Sequence, residues 1–269
     1  KNTTFFDLEP LPPAQPAPGT ALATPYGISI SDDDSTLVVT TAGSDKVITM
    51  DANSGEVLGR VDVEAVPRGV ALTSFEDGRP SQAWVLNAVE NTVSLVDVSN
   101  TFEPNLVGTI LLEDPTHPTV KRGRKAFETA SASTTGTFAC ASCHADGHTD
   151  QLLWVLNTPI VTGGDQIQPR TTMPIRGLRD TEPYHWDGIP GDPYGGVNAA
   201  NTDDYVPPNS DINDQTTATR HLVDSGQANT MHLFGEANTN NEGKLGLLTS
   251  AQRDDMAVFL LNVPYPPAQ

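Results

Sequence analysis

Cysteine is almost absent from this sequence. Only two occur in 269 residues, three positions apart, so no framework of disulfides organises the fold. Basic residues are few as well, 15 Lys and Arg against 34 Asp and Glu. The resulting formal charge of −19 repels polyanions, which argues against nucleic-acid binding and against anionic membrane surfaces. Its simplest meaning is a solvated acidic surface; the sharper one is steering towards a basic partner. No apolar run approaches the roughly 20 residues a membrane-crossing helix requires. No signal-peptide pattern is present and the chain opens on Lys1, so we expect a processed mature protein or a segment of a longer one.

Glycine and proline, by contrast, are plentiful at 22 each, which describes a loop-rich globular chain. Six prolines between Pro10 and Pro25 disfavour regular structure over residues 9–26, so residues 1–26 read as a Pro-rich extended arm. A repeat follows. Pro25-Tyr26-Gly27-Ile28-Ser29-Ile30 matches Pro67-Arg68-Gly69-Val70-Ala71-Leu72 at an offset of 42. Leu37-Val38-Val39-Thr40 through Lys46-Val47-Ile48-Thr49-Met50-Asp51 matches Ala83-Trp84-Val85-Leu86 through Thr92-Val93-Ser94-Leu95-Val96-Asp97 at an offset of 46. The slip of four fits a turn-rich insert near Asp77-Gly78-Arg79-Pro80. Short strands repeating at this interval predict β-propeller blades, about two of them over residues 27–118, with a plain meander as the alternative. The wording of the repeats resembles the YVTN class of propellers. Two blades are fewer than the roughly four to eight of a closed ring, so further blades are expected from the same or another chain.

From residue 119 the period becomes helical. Val120, Gly123, Phe127 and Ala130 predict one helix, a second is expected over about 214–231, and Thr249 with Gln252 forms a capping box ahead of an apolar stripe of Met256, Phe259, Leu260 and Val263. Residues 145–213 show little periodicity and are expected to be long loops. Within the helical part stands Cys140-Ala141-Ser142-Cys143-His144, the attachment pattern of a c-type haem. Two thiols so spaced can each add across one haem vinyl group, and the next residue then faces the iron. A thioredoxin-like couple would need a βαβ setting, and a structural zinc site a second ligand pair; both stay as alternatives. Candidates for the iron's opposite side are Met231, Met173, His185, His148, His221 and His232. Acidic runs such as Ser31-Asp32-Asp33-Asp34 and Asp211-Ile212-Asn213-Asp214 could hold calcium but lack EF-hand spacing, so solvated turns are expected.

Residues 120–266 resemble a cytochrome domain of the bacterial dihaem cytochrome c peroxidase and MauG-like family, in particular members fused to YVTN propellers. The resemblance rests on Arg122-Gly123 through Phe127, on Phe138-Ala139 leading into the cysteines, on Asp146-Gly147-His148-Thr149-Asp150, on Met173-Pro174-Ile175-Arg176-Gly177-Leu178 and on Pro183-Tyr184-His185-Trp186-Asp187-Gly188. It implies a β-plus-α chain, a partial β-propeller followed by an α-helical cytochrome c domain over residues 119–269, carrying one covalent haem c with its iron. It further implies that Met231, on the helix after the Tyr-His segment, is the opposing iron ligand, with Met173 second. Arg176 would serve the haem propionates, and His185 and Trp186 would lie close to the haem. A periplasmic or extracellular location follows for such a protein.

Three functions stay open at this point. Electron transfer is the main expectation, because an iron held on both sides has no open position. Peroxidase-type oxidoreductase activity would need a second haem, and this chain has a single Cys-x-x-Cys-His. The third is a propeller binding module with the cytochrome as an appendage. Expected partners are a redox partner protein or a second haem domain, and truncation is expected at both ends.

Overall fold

In a computed structural model, residues 5–10, 13–158, 166–181, 184, 214–233 and 235–265 are described. Two compact units emerge, the first built mainly from residues 1–115 and the second from most of residues 116–269.

The first unit holds two sheets of four antiparallel strands, each strand paired with its neighbour in sequence. β1 (Pro25–Ile30), β2 (Thr36–Thr41), β3 (Lys46–Asp51) and β4 (Val57–Asp62) form the first sheet. β5 (Pro67–Ser74), β6 (Pro80–Asn87), β7 (Thr92–Asp97) and β8 (Asn105–Leu111) form the second. Two successive up-and-down sheets of this kind are propeller-like, and they fall where the repeat places them. The insert at Asp77-Gly78 forms the β5–β6 turn, where Gly78 takes a positive φ of 85°.

Strand alternation decides which residues form the core. In β6 buried Ala83, Val85 and Asn87 alternate with exposed Trp84 and Leu86. Ala83, Val85, Val96 and Val98 of the second sheet meet Val38 and Val47 of the first in one fully buried cluster. The opposite face of the first sheet, Val39, Ile48 and Met50, is covered by Leu8 and Leu22 of the Pro-rich arm. Gly27 is required where β1 passes β5, because a Cβ there would stand 2.2 Å from the Arg68 carbonyl oxygen.

The second unit contains α1 (Pro118–Glu128), the single turn α2 (Cys140–Cys143), α3 (Gln215–Ala228) and α4 (Ser250–Leu261). Pro118 occupies the first helical position, where its missing N–H costs nothing. Asp214 caps α3 by accepting the Thr216 N–H, and the Thr249–Gln252 capping box opens α4 as the sequence predicts. Contrary to the expectation of loops throughout 145–213, β9 (Leu153–Thr158) pairs with β10 (Gln166–Thr171). Leu153 and Trp154 are exposed, and the run Leu153-Trp154-Val155-Leu156 has no apolar alternation that would reveal a strand.

Two contacts fix the helices. Arg122 grips Asp255 through Nε at 2.6 Å and Nη2 at 3.1 Å, and Phe127 packs on Phe259 with ring centroids 5.5 Å apart. Between them α1 approaches α4 closely: a Cβ on Gly123 would lie 2.0 Å from the Asp255 carbonyl oxygen. The second is Arg253, fully buried, which donates to the carbonyls of Leu248, Leu245 and Gly246 and to Asp224 on α3. Asp224 also receives Arg220 and Lys244, so one carboxylate ties α3, α4 and the intervening loop.

Gly123→Ala forces backbone apart at the crossing and is expected to cost about 1–3 kcal/mol. Arg253→Met leaves three carbonyls short of a buried donor while Asp224 keeps Arg220 and Lys244, and a buried group left unsatisfied costs about 1–3 kcal/mol. Urea unfolding followed by far-ultraviolet circular dichroism checks both.

Candidate functional site

The site grows from α2. A helical turn places residues three apart on one face, so Cys140 and Cys143 present both sulfurs to the same side. Ser142 has a structural task in this turn, its Oγ accepting the Ala139 N–H at 3.0 Å. His144 ends the turn with its N–H on the Cys140 carbonyl at 3.0 Å, and Gly147 returns an N–H to the His144 carbonyl. Asp146 and Gly147 both take left-handed φ values, 51° and 78°, which turn the chain back towards residues 173–177. That return is pinned by the Ile175 N–H on the Gly147 carbonyl at 3.0 Å.

The orientation of His144 is defined. Its Nδ1 lies 2.8 Å from the backbone carbonyl of Met173. A carbonyl only accepts, so Nδ1 carries the proton and Nε2 carries the lone pair that a metal would use. The Phe127 ring stands beside the imidazole, 6.2 Å between centroids.

The cysteines are not in a disulfide. Burial pushes the Cys140 thiol up to about 12. Cys143 is raised too, first by burial and then by the Asp150 carboxylate beside it. Reactive Cys-x-x-Cys couples work through thiolates, and this environment disfavours thiolates at both positions. Among the described residues no group of three or more His, Cys, Asp or Glu side chains converges as a metal site.

Asp150 was not singled out as a site residue from sequence, yet it organises this side of the turn. Desolvation works against its charge, but the Leu152 N–H, the Thr172 hydroxyl, the Trp154 indole and the Cys143 thiol together hold its carboxyl below the usual range. The indole Nε1 donates at 2.9 Å and the Leu152 N–H at 2.9 Å. An Asp two residues before a backbone N–H is a turn signal, so the Leu152 bond was legible; the Trp154 bond needs the fold.

The remaining candidates separate. Arg176 spends Nε and Nη2 on the Asp146 carbonyl, at 3.3 and 3.0 Å, where it braces the left-handed turn. Met173 offers its backbone to His144, on the imidazole's own side, while its side chain is exposed. Met231 is buried and lies on the turn after α3, beyond the last helical residue Ala228, rather than on the helix as expected. The cause is that its N–H bonds the Gly226 carbonyl at 3.0 Å, which closes the helix end. Thr134, a few residues before the cysteines, holds this turn from both sides: its N–H donates to the Met231 carbonyl and its Oγ1 accepts the Leu233 N–H. His232 has a fully covered Nε2 with no hydrogen-bond partner. His148 is exposed, and His221 on α3 has its imidazole pKa lowered chiefly by burial. His185 and Trp186 lie outside the described residues, as do Asp211, Ile212 and Asn213 of one acidic run. In the other, Asp33 accepts from the Ser31 and Ser35 hydroxyls within its own turn.

No protein-family profile matches the chain, and no curated protein matches it. Parts of solved structures do. A hydrazine synthase of Kuenenia stuttgartiensis is 32% identical over 35% of this chain and 25% of its own, with a TM-score of 0.31. BamB from Moraxella catarrhalis is 18% identical over 35% of this chain and 26% of its own, at a TM-score of 0.29. The Cps50 (Swd1) β-propeller domain of Myceliophteria thermophila is 18% identical over 33% and 29%, at 0.28. The chain spans about a quarter of the length of the solved structures it matches.

Because the Asp150 carboxyl is depressed in the folded chain, its contribution is complete above about pH 4 and is lost as pH falls further. Melting temperature measured from about pH 6 down to pH 3 should fall less steeply for Asp150→Asn than for the unaltered chain.

Proposed function

We propose that this chain is an electron-transfer protein that carries one covalent haem c on Cys140 and Cys143, with His144 Nε2 as an axial iron ligand. The observation that carries the reading is the bond from His144 Nδ1 to the Met173 carbonyl, which aims the other nitrogen and sets its basicity. Three further features fit. The thiols share one face of a single turn, their environment keeps them protonated, and an S–H bond is what adds across a vinyl group, sulfur to one carbon and hydrogen to the other. Bound haem supplies a one-electron iron couple.

Met231 is the opposing ligand in this reading. Its sulfur is shielded from water and its turn is anchored to Thr134, on the segment that leads into the cysteines. Met173 recedes, because its backbone sits at the imidazole's own Nδ1 edge. An iron held by His144 and Met231 has no open position, which favours electron transfer over peroxidase-type catalysis. One observation favours a second reading of the ligand set: the buried, unpartnered Nε2 of His232 would be satisfied by iron, giving two imidazoles. Arg176, through its hold on the Asp146–Gly147 turn, keeps the His144 side of the site in shape. A periplasmic or extracellular location and a redox partner belong to this same reading.

Production in a bacterial host that attaches haem c outside its cytoplasmic membrane tests it. The intact mass should exceed the polypeptide by one haem, and the haem should remain through denaturing electrophoresis. Cys143→Ala should weaken that retention, and His144→Ala should alter the oxidised spectrum. A weak near-infrared sulfur-to-iron band, lost in Met231→Ala, identifies the His–Met pair; its absence, with a spectrum altered by His232→Ala, selects two imidazoles. Isolation of a chain with two titratable thiols and no added mass overturns the proposal, and a high-spin iron that reacts with peroxide overturns the electron-transfer role.

A further inference from the structure

Each sheet of the first unit has two apolar faces, and the register shows that the two sheets use them in the same order. In the first sheet, Val39 opposite Ile48 and Leu37 opposite Met50 form one face, which the arm covers. Val38 lies opposite Thr49, and Val47 opposite Thr40, on the other face, which receives the second sheet. At the repeat offset, Val39, Ile48 and Met50 become Val85, Ser94 and Val96, the face with which the second sheet grips the first. Val38, Val47 and Thr49 become Trp84, Val93 and Leu95.

This last face is open. Trp84 pairs with Leu95 and Leu86 with Val93, and Ile110 of β8 continues the row beside Val93. Trp84 is 36% exposed, Leu86 43% and Ile110 50%, and Ala71 on β5 is exposed beside Trp84. Adjacent apolar side chains, exposed on three strands and half-buried on β7 between them, mark a contact surface rather than scattered surface residues.

We propose that the Trp84 face is the docking surface for one more four-stranded antiparallel sheet, which presents small aliphatic residues where the second sheet carries Ala83, Val85 and Val96. The surface is the repeat of an interface already formed inside this chain, so it fits the same kind of partner face. A second copy is not the occupant. Among the described residues, the face of that type that a second copy could offer is Val39, Ile48 and Met50, and Leu8 and Leu22 already lie on it.

The arm makes this testable with the protein itself. Sedimentation equilibrium of the full chain should give a monomer. Deleting residues 1–23, or loosening the arm with Leu8→Asp and Leu22→Asp, uncovers Val39, Ile48 and Met50 and should produce head-to-tail association, at least doubling the weight-average mass. Adding Trp84→Lys should restore the monomer in both backgrounds. A monomer after both arm changes overturns the proposal, as does association that ignores Trp84→Lys. A full chain that already dimerises and is made monomeric by Trp84→Lys overturns it in favour of a second copy.

Discussion

A four-stranded sheet whose residues are apolar on both faces cannot stand alone, and this constraint governs the first unit. Each face must be dried by another layer, because the apolar surface of Val, Ile and Leu is stabilised only on leaving water. Here the sheet–sheet contact through Val38, Val47, Ala83, Val85 and Val96 covers one face of each sheet. The Pro-rich arm serves a third face with two leucines, which an extended segment can do without offering strand edges of its own. Some polar groups caught in this layer find partners inside it: the Asn87 amide nitrogen donates to the Thr92 and Ser94 hydroxyls, although its Oδ1 stays buried and unpaired, and the Thr40 hydroxyl spans β1 and β5 through the Gly27 N–H and the Arg68 carbonyl.

The second unit solves a different problem. Its helices are short and mixed in polarity; besides buried Phe127, Val223, Leu248, Met256 and Leu260, they are joined where α1 crosses α4 at a glycine and by the charge cluster on Asp224. The Cys140–His144 turn is held by backbone bonds from the segment that follows it: the Gly147 N–H donates to the His144 carbonyl and the Asp150 N–H to the Cys143 carbonyl, while the Ile175 N–H pins Gly147 itself.

Much of this was readable in advance. The 42- and 46-residue offsets located both sheets, because strand alternation and turn residues recur locally and leave a repeated text. Helix α4 announced itself through Thr249 and Gln252, since a capping box lies within four residues of chain. The hairpin of β9 and β10 did not, because the run Leu153-Trp154-Val155-Leu156 does not alternate and the pairing runs between backbones. Arg253 is another case: nothing in a helical sequence marks an arginine for complete burial until three carbonyls and Asp224 close around it.

At the site the division has the same physical origin. The spacing of Cys140, Cys143 and His144 is a property of consecutive residues, so sequence alone determined which side chains share the turn. Which imidazole nitrogen points outward, that Met173 serves through its carbonyl, and that Met231 sits on a turn beyond α3 were decided only by tertiary structure. These depend on contacts between segments tens of residues apart, such as Thr134 with Met231 and His144 with Met173, and chain-distant contacts of this kind leave no periodic trace.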